Sequence, residues 1–273
     1  MKKTVLITGS TRGIGKSLAI HLAEAEYIVF VNGTNRLLID EVVHEIQQAG
    51  GEAIGYRADI GNSSEVKEMI DRIKDRYSRI DVFIHNAGHV QDKKIRDMSE
   101  EAWTAVLRIH LNGAFYCIQH VLPHMEVHGG DIVMMTSLAG LQGSVGQVNY
   151  SAAKAGVLGM IWTLSAELQR YRIRVNGISP AALTDMTRPV IEHMREKYAQ
   201  LNEPFPAFWN VGQPDDVARF VVALLAQPAQ DLTGEIFGVN GTKITQWQKP
   251  APALSEYNPE DFFKAWHSQK GRT

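Results

Sequence analysis

The stretch "TVLITGSTRGIG", Thr4 to Gly15, sets an apolar, β-branched run directly against three glycines, Gly9, Gly13 and Gly15. A run that is continuous in apolarity marks a strand buried on both faces, and the residues from Ile14 to Glu26 repeat at helical spacing. Strand, glycine turn and helix in that order make a phosphate cradle. Glycine lets the backbone turn tightly and come close to a ligand, and the helix N-terminus behind it offers N–H groups to a pyrophosphate. Gly9, Ser10, Arg12, Gly13, Ile14 and Gly15 are therefore candidate contacts to a dinucleotide.

The same alternation runs outward along the chain. "YIVFVNG", "EAIGYRADI", "IDVFIHNAG", "GDIVMMTS", "IRVNGISP" and "GEIFGVNG" read as further strands, with helical spacing over 40–49, 64–77, 100–127, 152–171 and 215–226. This pattern predicts an α/β fold: one doubly wound parallel sheet of about seven strands, helices on both faces and ligands at the carboxyl ends of the strands. At 273 residues and 44% hydrophobic the chain can bury one large core. The catalytic domain is expected over residues 1–245, with a C-terminal tail over 246–273. The tail opens irregular and proline-containing, and then offers Asn258 as a cap and Pro259 as the first position of a short helix. Phe262, Phe263 and Trp266 would share a face of that helix and pack on this domain, on a neighbouring subunit, or over a substrate as a lid.

Charge and composition exclude several classes. A formal net charge of -2 without a long like-charged run argues against nucleic acid as a partner. Cys117 is the only cysteine, which excludes an internal disulfide and suits a reducing compartment. The opening "MKKTVLITGS" has too short an apolar core for a signal peptide. No apolar run approaches the roughly 18 residues of a membrane helix, so the expectation is a cytoplasmic protein with no membrane partner.

In units of this type an acidic residue about 20 positions after the glycines holds the ribose 2′-hydroxyl of NAD. Here the second strand ends in Asn32, Gly33, Thr34, Asn35 and Arg36, with no carboxylate. Arg12, Thr34, Asn35 and Arg36 can instead neutralise and hydrogen-bond a 2′-phosphate, which favours NADP(H) over NAD(H). Asp59 and Ile60, ending the third strand, suit the edge and face of an adenine. In "HNAG", His85 to Gly88, the small Ala87 and Gly88 admit a cofactor and the Asn86 amide can tie adjacent loops together.

"MMTS" places Ser137 at the end of the fifth strand; Tyr150 follows, and Lys154 comes four residues later. On a helix those two share a face. A free phenol with a pKa of about 10 is a poor acid near neutrality, and a cation held close by brings that value down.

Together "TGSTRGIG", "HNAG", "TS" with Ser137, and "YSAAK" make the sequence from Thr4 to about Gly241 resemble the short-chain dehydrogenase/reductase family, whose fold is a Rossmann-type sheet. The resemblance implies that Tyr150 exchanges a proton with the substrate oxygen and that Ser137 hydrogen-bonds that oxygen. Lys154 would lower the tyrosine pKa and hold the nicotinamide ribose. It also implies a small-molecule ketone or alcohol substrate and a homotetramer or homodimer, paired through helices near Trp103 to Val127 and Ala152 to Arg170.

Two departures from the family pattern stand out. Where an asparagine usually anchors a relay water, "IHLNGAF" has His110, which either relays a proton with a second titration near neutrality or simply fills space. The usual proline-glycine is Pro180-Ala181, which leaves open whether Thr184 or Thr187 meets the cofactor. Both departures resemble a subgroup that includes D-3-hydroxyacyl-CoA dehydrogenase units and 3-oxoacyl-thioester reductases.

A substrate loop over 187–211 carries Met194, Leu201, Phe205, Phe208 and Trp209 with Arg188, Arg195 and Lys197. It suits an apolar 3-oxoacyl thioester or a bulky cyclic or steroid-like ketone, the cations being open to a thioester's phosphates or merely solvated. His120, His124 and His128 recur at metal-ligand spacing, but Pro123 is expected to interrupt the helix and no carboxylate or cysteine completes a set, so no metal site is assigned. The alternatives are a catalytically silent nucleotide-binding partner or sensor, against which the intact Ser137, Tyr150 and Lys154 argue, and a small-polyol dehydrogenase, against which the aromatic loop argues.

Overall fold

The computed structural model describes residues 2–228, 231–255 and 258–270. In chain order the elements are β1 (Thr4–Ile7), α1 (Gly13–Glu24), β2 (Ile28–Gly33), α2 (Arg36–Gln48), β3 (Glu52–Arg57), α3 (Ser63–Tyr77), β4 (Val82–His85), α4 (Glu100–Leu107), α5 (Gly113–Met125), β5 (Gly130–Met135), α6 (Leu138–Gln142), α7 (Val148–Glu167), β6 (Ile173–Ala181), α8 (Arg188–Gln200), α9 (Pro214–Ala226), β7 (Ile236–Asn240), β8 (Lys243–Trp247) and α10 (Pro259–Lys270). The strands form one sheet in the order β3-β2-β1-β4-β5-β6-β7-β8.

Strand residues alternate between two cores, as the two-residue period of a strand requires. Leu6 and Phe83 face the layer of α3, α5 and α7, while Val5, Ile7, Val82 and Ile84 face α1, α2 and α9. That is why β1 reads as unbroken apolarity: all four of its residues are buried. The chain reverses its winding at β1, which pairs with both β2 and β4. In open α/β sheets a ligand crevice forms at such a switch point, outside the carboxyl ends of the strands, and it is here that the glycine turn emerges.

Seven strands are parallel and the eighth is not. β8 runs antiparallel to β7 and extends the sheet to residue 247, two residues beyond the expected end of the catalytic domain at 245. "KITQW" escaped the sequence reading because an edge strand is open to solvent on one face and lacks the continuous apolarity of its neighbours. The helix expected over 100–127 is also divided: α4 and α5 are joined by a π-helical turn at Arg108–Asn112. Pro123, expected to break this segment, lies inside α5. It falls two residues before the helix ends, and its missing N–H costs the ladder a single bond, the one to the Gln119 carbonyl. Much of the expected substrate loop is the helix α8, with Pro189 in its first turn. No helix of the described residues is long and apolar enough to cross a membrane.

Candidate active site

At the switch point the glycine turn and the loop after β4 are locked together by Asn86. Its Nδ2 donates to the Thr8 and Gly9 carbonyls at 3.0 and 2.9 Å, while Thr8 Oγ1 accepts the Asn86 and Ala87 N–H groups at 3.0 and 3.2 Å. Gly9 and Gly13 have φ of +62° and +53°, the left-handed region where side chains strain the backbone. A Cβ on Gly9 would stand 2.6 Å from the Ala87 Cα, and one on Gly15 2.3 Å from the Gly9 oxygen. Ser10 is buried, its hydroxyl donating to the Ile7 carbonyl at 2.8 Å, so it braces the turn from within. Ile14 opens the second position of α1. The turn has the room and the N–H groups that a pyrophosphate requires.

The adenosine end departs from the sequence reading in detail. Arg12 and Thr34 are exposed. Asn35 Oδ1 is occupied in capping α2, where it accepts the Leu37 and Leu38 N–H groups, and Arg36 is held by Asp40 through Nε at 3.0 Å and Nη2 at 2.9 Å. Asp59 is tied to Arg108 at 2.8 Å and to the Gly61 N–H at 2.8 Å. The Ile60 side chain lies in the core against the position of Gly113, which leaves its backbone rather than its side chain for a ligand. Arg57, at the end of β3, did not enter the sequence reading; its Nε donates to the Thr34 carbonyl at 3.1 Å.

At the carboxyl end of β6, Pro180 pairs with Val239. Of the two threonines beyond it, Thr184 reaches the glycine turn: its Cγ2 lies 3.5 Å from where a Gly13 Cβ would stand. Thr187 closes the local turn instead, donating to the Ala182 carbonyl and accepting the Thr184 N–H.

Ser137 follows β5 and caps α6, accepting the Ala139 N–H at 3.2 Å. Tyr150 lies in the first turn of α7, behind a buried Asn149 whose amide donates to the Gln91 and Ala102 carbonyls and whose oxygen accepts the Tyr150 N–H at 2.7 Å. Asn149 therefore fixes the start of the helix, a role no spacing in the sequence signals. One turn on, Lys154 is buried, donates to the Met135 carbonyl at 2.5 Å and stands 5.7 Å from the Tyr150 ring centroid.

The electrostatics correct one expectation. Burial lowers the Lys154 pKa from 10.5 to about 7, since an ammonium out of water loses its hydration. The Tyr150 pKa is raised above 10, chiefly by burial; the hydrogen bond with Ser137 pulls it down and the Asp92 charge pushes it up. The lysine was expected to bring the phenol down. In the chain alone burial sets the direction, and an amine that titrates near 7 carries only part of its charge at neutrality.

His110 sits in the π-helical turn, 2% exposed, with its ring edge-on to Tyr150 at 5.1 Å between centroids. Its Nε2 lies 3.1 Å from the His89 nitrogen and 2.8 Å from the His89 carbonyl oxygen. A Cβ on Gly88 would overlap the imidazole, 2.1 Å from its Cε1, so the glycine makes room for the ring. Burial, then the Lys154 charge, hold the His110 pKa well below 6.5. Of the two readings left open for this histidine, that direction favours packing over a titration near neutrality. Beneath it lies the fully buried His85, whose Nε2 donates to the His110 carbonyl at 3.1 Å and whose pKa is lowered to about 3, first by burial. The sequence reading quoted His85 only as the start of "HNAG".

The groups are contiguous: Tyr150 meets His110, His110 fills the space above Gly88, and the neighbouring Ala87 abuts Gly9. A separate cavity of about 370 Å³ is lined by Asp231, Leu232, Glu235, Phe237 and Gln246. In the 187–211 segment Tyr198 packs on Phe205, Arg195 lies over Phe205, and Phe208 packs on Trp209; Leu201 and Phe208 remain exposed, and Met194 is half-buried. On α10 Asn258 accepts the Asp261 N–H as its cap, and Phe263 is 57% exposed. Among the described residues no group of three histidine, cysteine or carboxylate side chains is placed to hold a metal.

A dinucleotide cradle at the switch point of such a sheet, joined to a serine, a tyrosine and a lysine, is the make-up of an oxidoreductase. Residues 3–195 match the family model described as short chain dehydrogenase, and the chain belongs to that family. It is 37% identical over 244 residues to the 3-oxoacyl-(acyl-carrier-protein) reductase FabG of Staphylococcus epidermidis, covering 88% of this chain and 98% of that protein. It is 39% identical over 246 residues to the 3-oxoacyl-(acyl-carrier-protein) reductase of a Synechocystis species, covering 89% and 97%. The structure of a short chain dehydrogenase from Mycobacterium avium superposes with a TM-score of 0.82 at 31% identity, covering 98% of this chain and 94% of that one.

Proposed function

We propose that the protein interconverts a ketone and a secondary alcohol with NADP(H), acting on an apolar 3-oxoacyl thioester or a bulky cyclic or steroid-like ketone. The observation that carries this reading is Tyr150, hydrogen-bonded to Ser137 and one helical turn from a buried Lys154, contiguous with the glycine cradle. The relatives named 3-oxoacyl-(acyl-carrier-protein) reductases favour the thioester.

Gly9, Arg12, Gly13, Ile14 and Gly15 would hold the pyrophosphate and adenosine ribose on a turn that Ser10 braces, with Asp59 and the Ile60 backbone at the adenine. Asn86, Ala87, Gly88, Pro180 and Thr184 would frame the nicotinamide. The bound dinucleotide supplies the hydride. Tyr150 keeps its proton through neutrality, which is the form that can donate to a carbonyl oxygen as hydride reaches its carbon. Ser137 gives that oxygen a second hydrogen bond, and Lys154, titrating near 7, is suited to restore the proton to the phenol.

The protein works in the cytoplasm as a homodimer or homotetramer, joined through α4, α5 and α7; Phe115, 50% exposed on α5, supports that face. Consumption of NADPH and NADH across 3-oxoacyl thioesters, cyclic ketones and small ketones tests the reading. Turnover of long 3-oxoacyl thioesters with NADPH is the expected result, and no turnover on any member of that panel would overturn it.

A further inference from the structure

The 2′-phosphate of NADP(H) needs a cation that nothing else has claimed, and the two sides of its expected seat differ in this. Arg36, in the helix that follows β2, is bound to Asp40 through two nitrogens, and Asn35 spends its oxygen on the α2 cap. Arg57 comes from the other side. It ends β3 in register with Gly33, is exposed, and donates through Nε to the Thr34 carbonyl at 3.1 Å. Among the described residues it has no carboxylate partner. One hydrogen bond therefore fixes the stem of this arginine at Thr34 and leaves the guanidinium's outer N–H groups for an anion. On the glycine-turn side Arg12 is likewise exposed and without an ion pair among the described residues; it follows Thr11, whose Cγ2 lies 2.7 Å from where a Gly33 Cβ would stand. The glycine turn thus meets the end of β2 through Thr11 and Gly33, and the end of β3 meets the next residue, Thr34, through Arg57.

We infer that Arg57, reaching across from β3, is the specificity-determining cation for the 2′-phosphate, with Arg12 from the glycine turn as the second cation and Arg36, shared with Asp40, the lesser one. The inference rests on the NADP(H) reading and names the residue that enforces it. A phosphate matches the fork of a guanidinium, and two such forks neutralise a dianion that an exposed carboxylate-bound arginine would meet poorly.

Isothermal titration of the full-length chain with 2′,5′-ADP, NADP⁺ and NAD⁺ tests it. Arg57→Gln is expected to weaken 2′,5′-ADP and NADP⁺ by about 10- to 100-fold while NAD⁺ stays within about twofold, with Arg57→Lys between wild type and Gln. Arg36→Gln should cost less than Arg57→Gln. A loss at Arg36 equal to or larger than that at Arg57, unchanged 2′,5′-ADP binding in Arg57→Gln, or an equal weakening of NAD⁺ would each overturn the inference; in the last case the arginine merely holds the β2–β3 rim. Wild-type protein that binds NAD⁺ as tightly as NADP⁺ would instead overturn the cofactor reading itself, whatever Arg57 does.

Discussion

The two halves of the candidate site are specified by different physics. At the glycine turn the deciding quantity is space: Gly9 and Gly15 lie so close to Ala87, Asn86 and the backbone that one added carbon has nowhere to go. Around Tyr150 the deciding quantity is water. Lys154, His85 and His110 are shaped like ordinary side chains but have been moved out of solvent, and their proton affinities follow. A steric site fails when something is added, whereas a desolvated one fails when a proton is in the wrong place. Substitutions should separate the two.

The largest effect belongs to the desolvated half. Tyr150→Phe removes the phenol beside Ser137 and should lower kcat by about 10²- to 10⁴-fold, with NADPH affinity by fluorescence titration nearly unchanged. Activity close to wild type would mean that the proton comes from elsewhere. Lys154 gives the same half a signature in stability. Its folded pKa of about 7 lies below the unfolded 10.5, so between those values the unfolded chain binds a proton that the folded chain does not. Stability from this group therefore rises with pH across that window, by at most about 1.4 kcal/mol per pH unit, and the full burial penalty applies below 7. Urea unfolding at about pH 7 and about pH 8.5 should show this rise in wild type and lose it in Lys154→Met. Parallel behaviour of the two proteins would mean that the lysine is not desolvated.

The steric half gives smaller and graded losses. Gly15→Ala forces a Cβ against the Gly9 oxygen and the Asn86 amide and should cost about 1–3 kcal/mol with a matching fall in cofactor affinity. Gly13→Ala meets only an ordinary 3.5 Å contact with Thr184 and carries the penalty of its positive φ alone, about 1 kcal/mol. Thermal melts and NADPH titrations of the pair check the order; equal losses would show that conformation, not space, rules the turn.

The same division explains what could be read from the chain before its structure. Local steric demands leave marks: a glycine wherever the backbone bends or crowds, unbroken apolarity in a doubly covered strand. Hence β1, the turn and the alternation were legible, as was the order Ser137, Tyr150, Lys154. Demands set by distant partners leave none. Arg57 meets Thr34 only because β3 pairs with β2, and His85 supports His110 only because β4 lies beside the π-helical turn. The sign of the Tyr150 shift was misjudged for the same reason, since a four-residue spacing shows the lysine but not the burial of both groups. β8 was missed because a half-exposed edge strand resembles tail.

The finest test of the comparison is His110, which the sequence leaves as either a titrating relay or a packing residue and whose burial favours a neutral wedge. Its pKa is held well below 6.5, so at neutrality it carries no charge to change. His110→Asn should therefore leave unmoved the kcat inflection near pH 7 that Lys154 is expected to produce. The change should appear in stability instead. A histidine whose folded pKa is depressed adds stability above its unfolded value of about 6.5 and loses it as pH falls toward the folded value. Asparagine has no proton to gain, so acid unfolding of the variant should begin at lower pH relative to its own neutral-pH stability. A kcat inflection that vanishes with the imidazole would return His110 to the relay and show that it titrates where burial should forbid it.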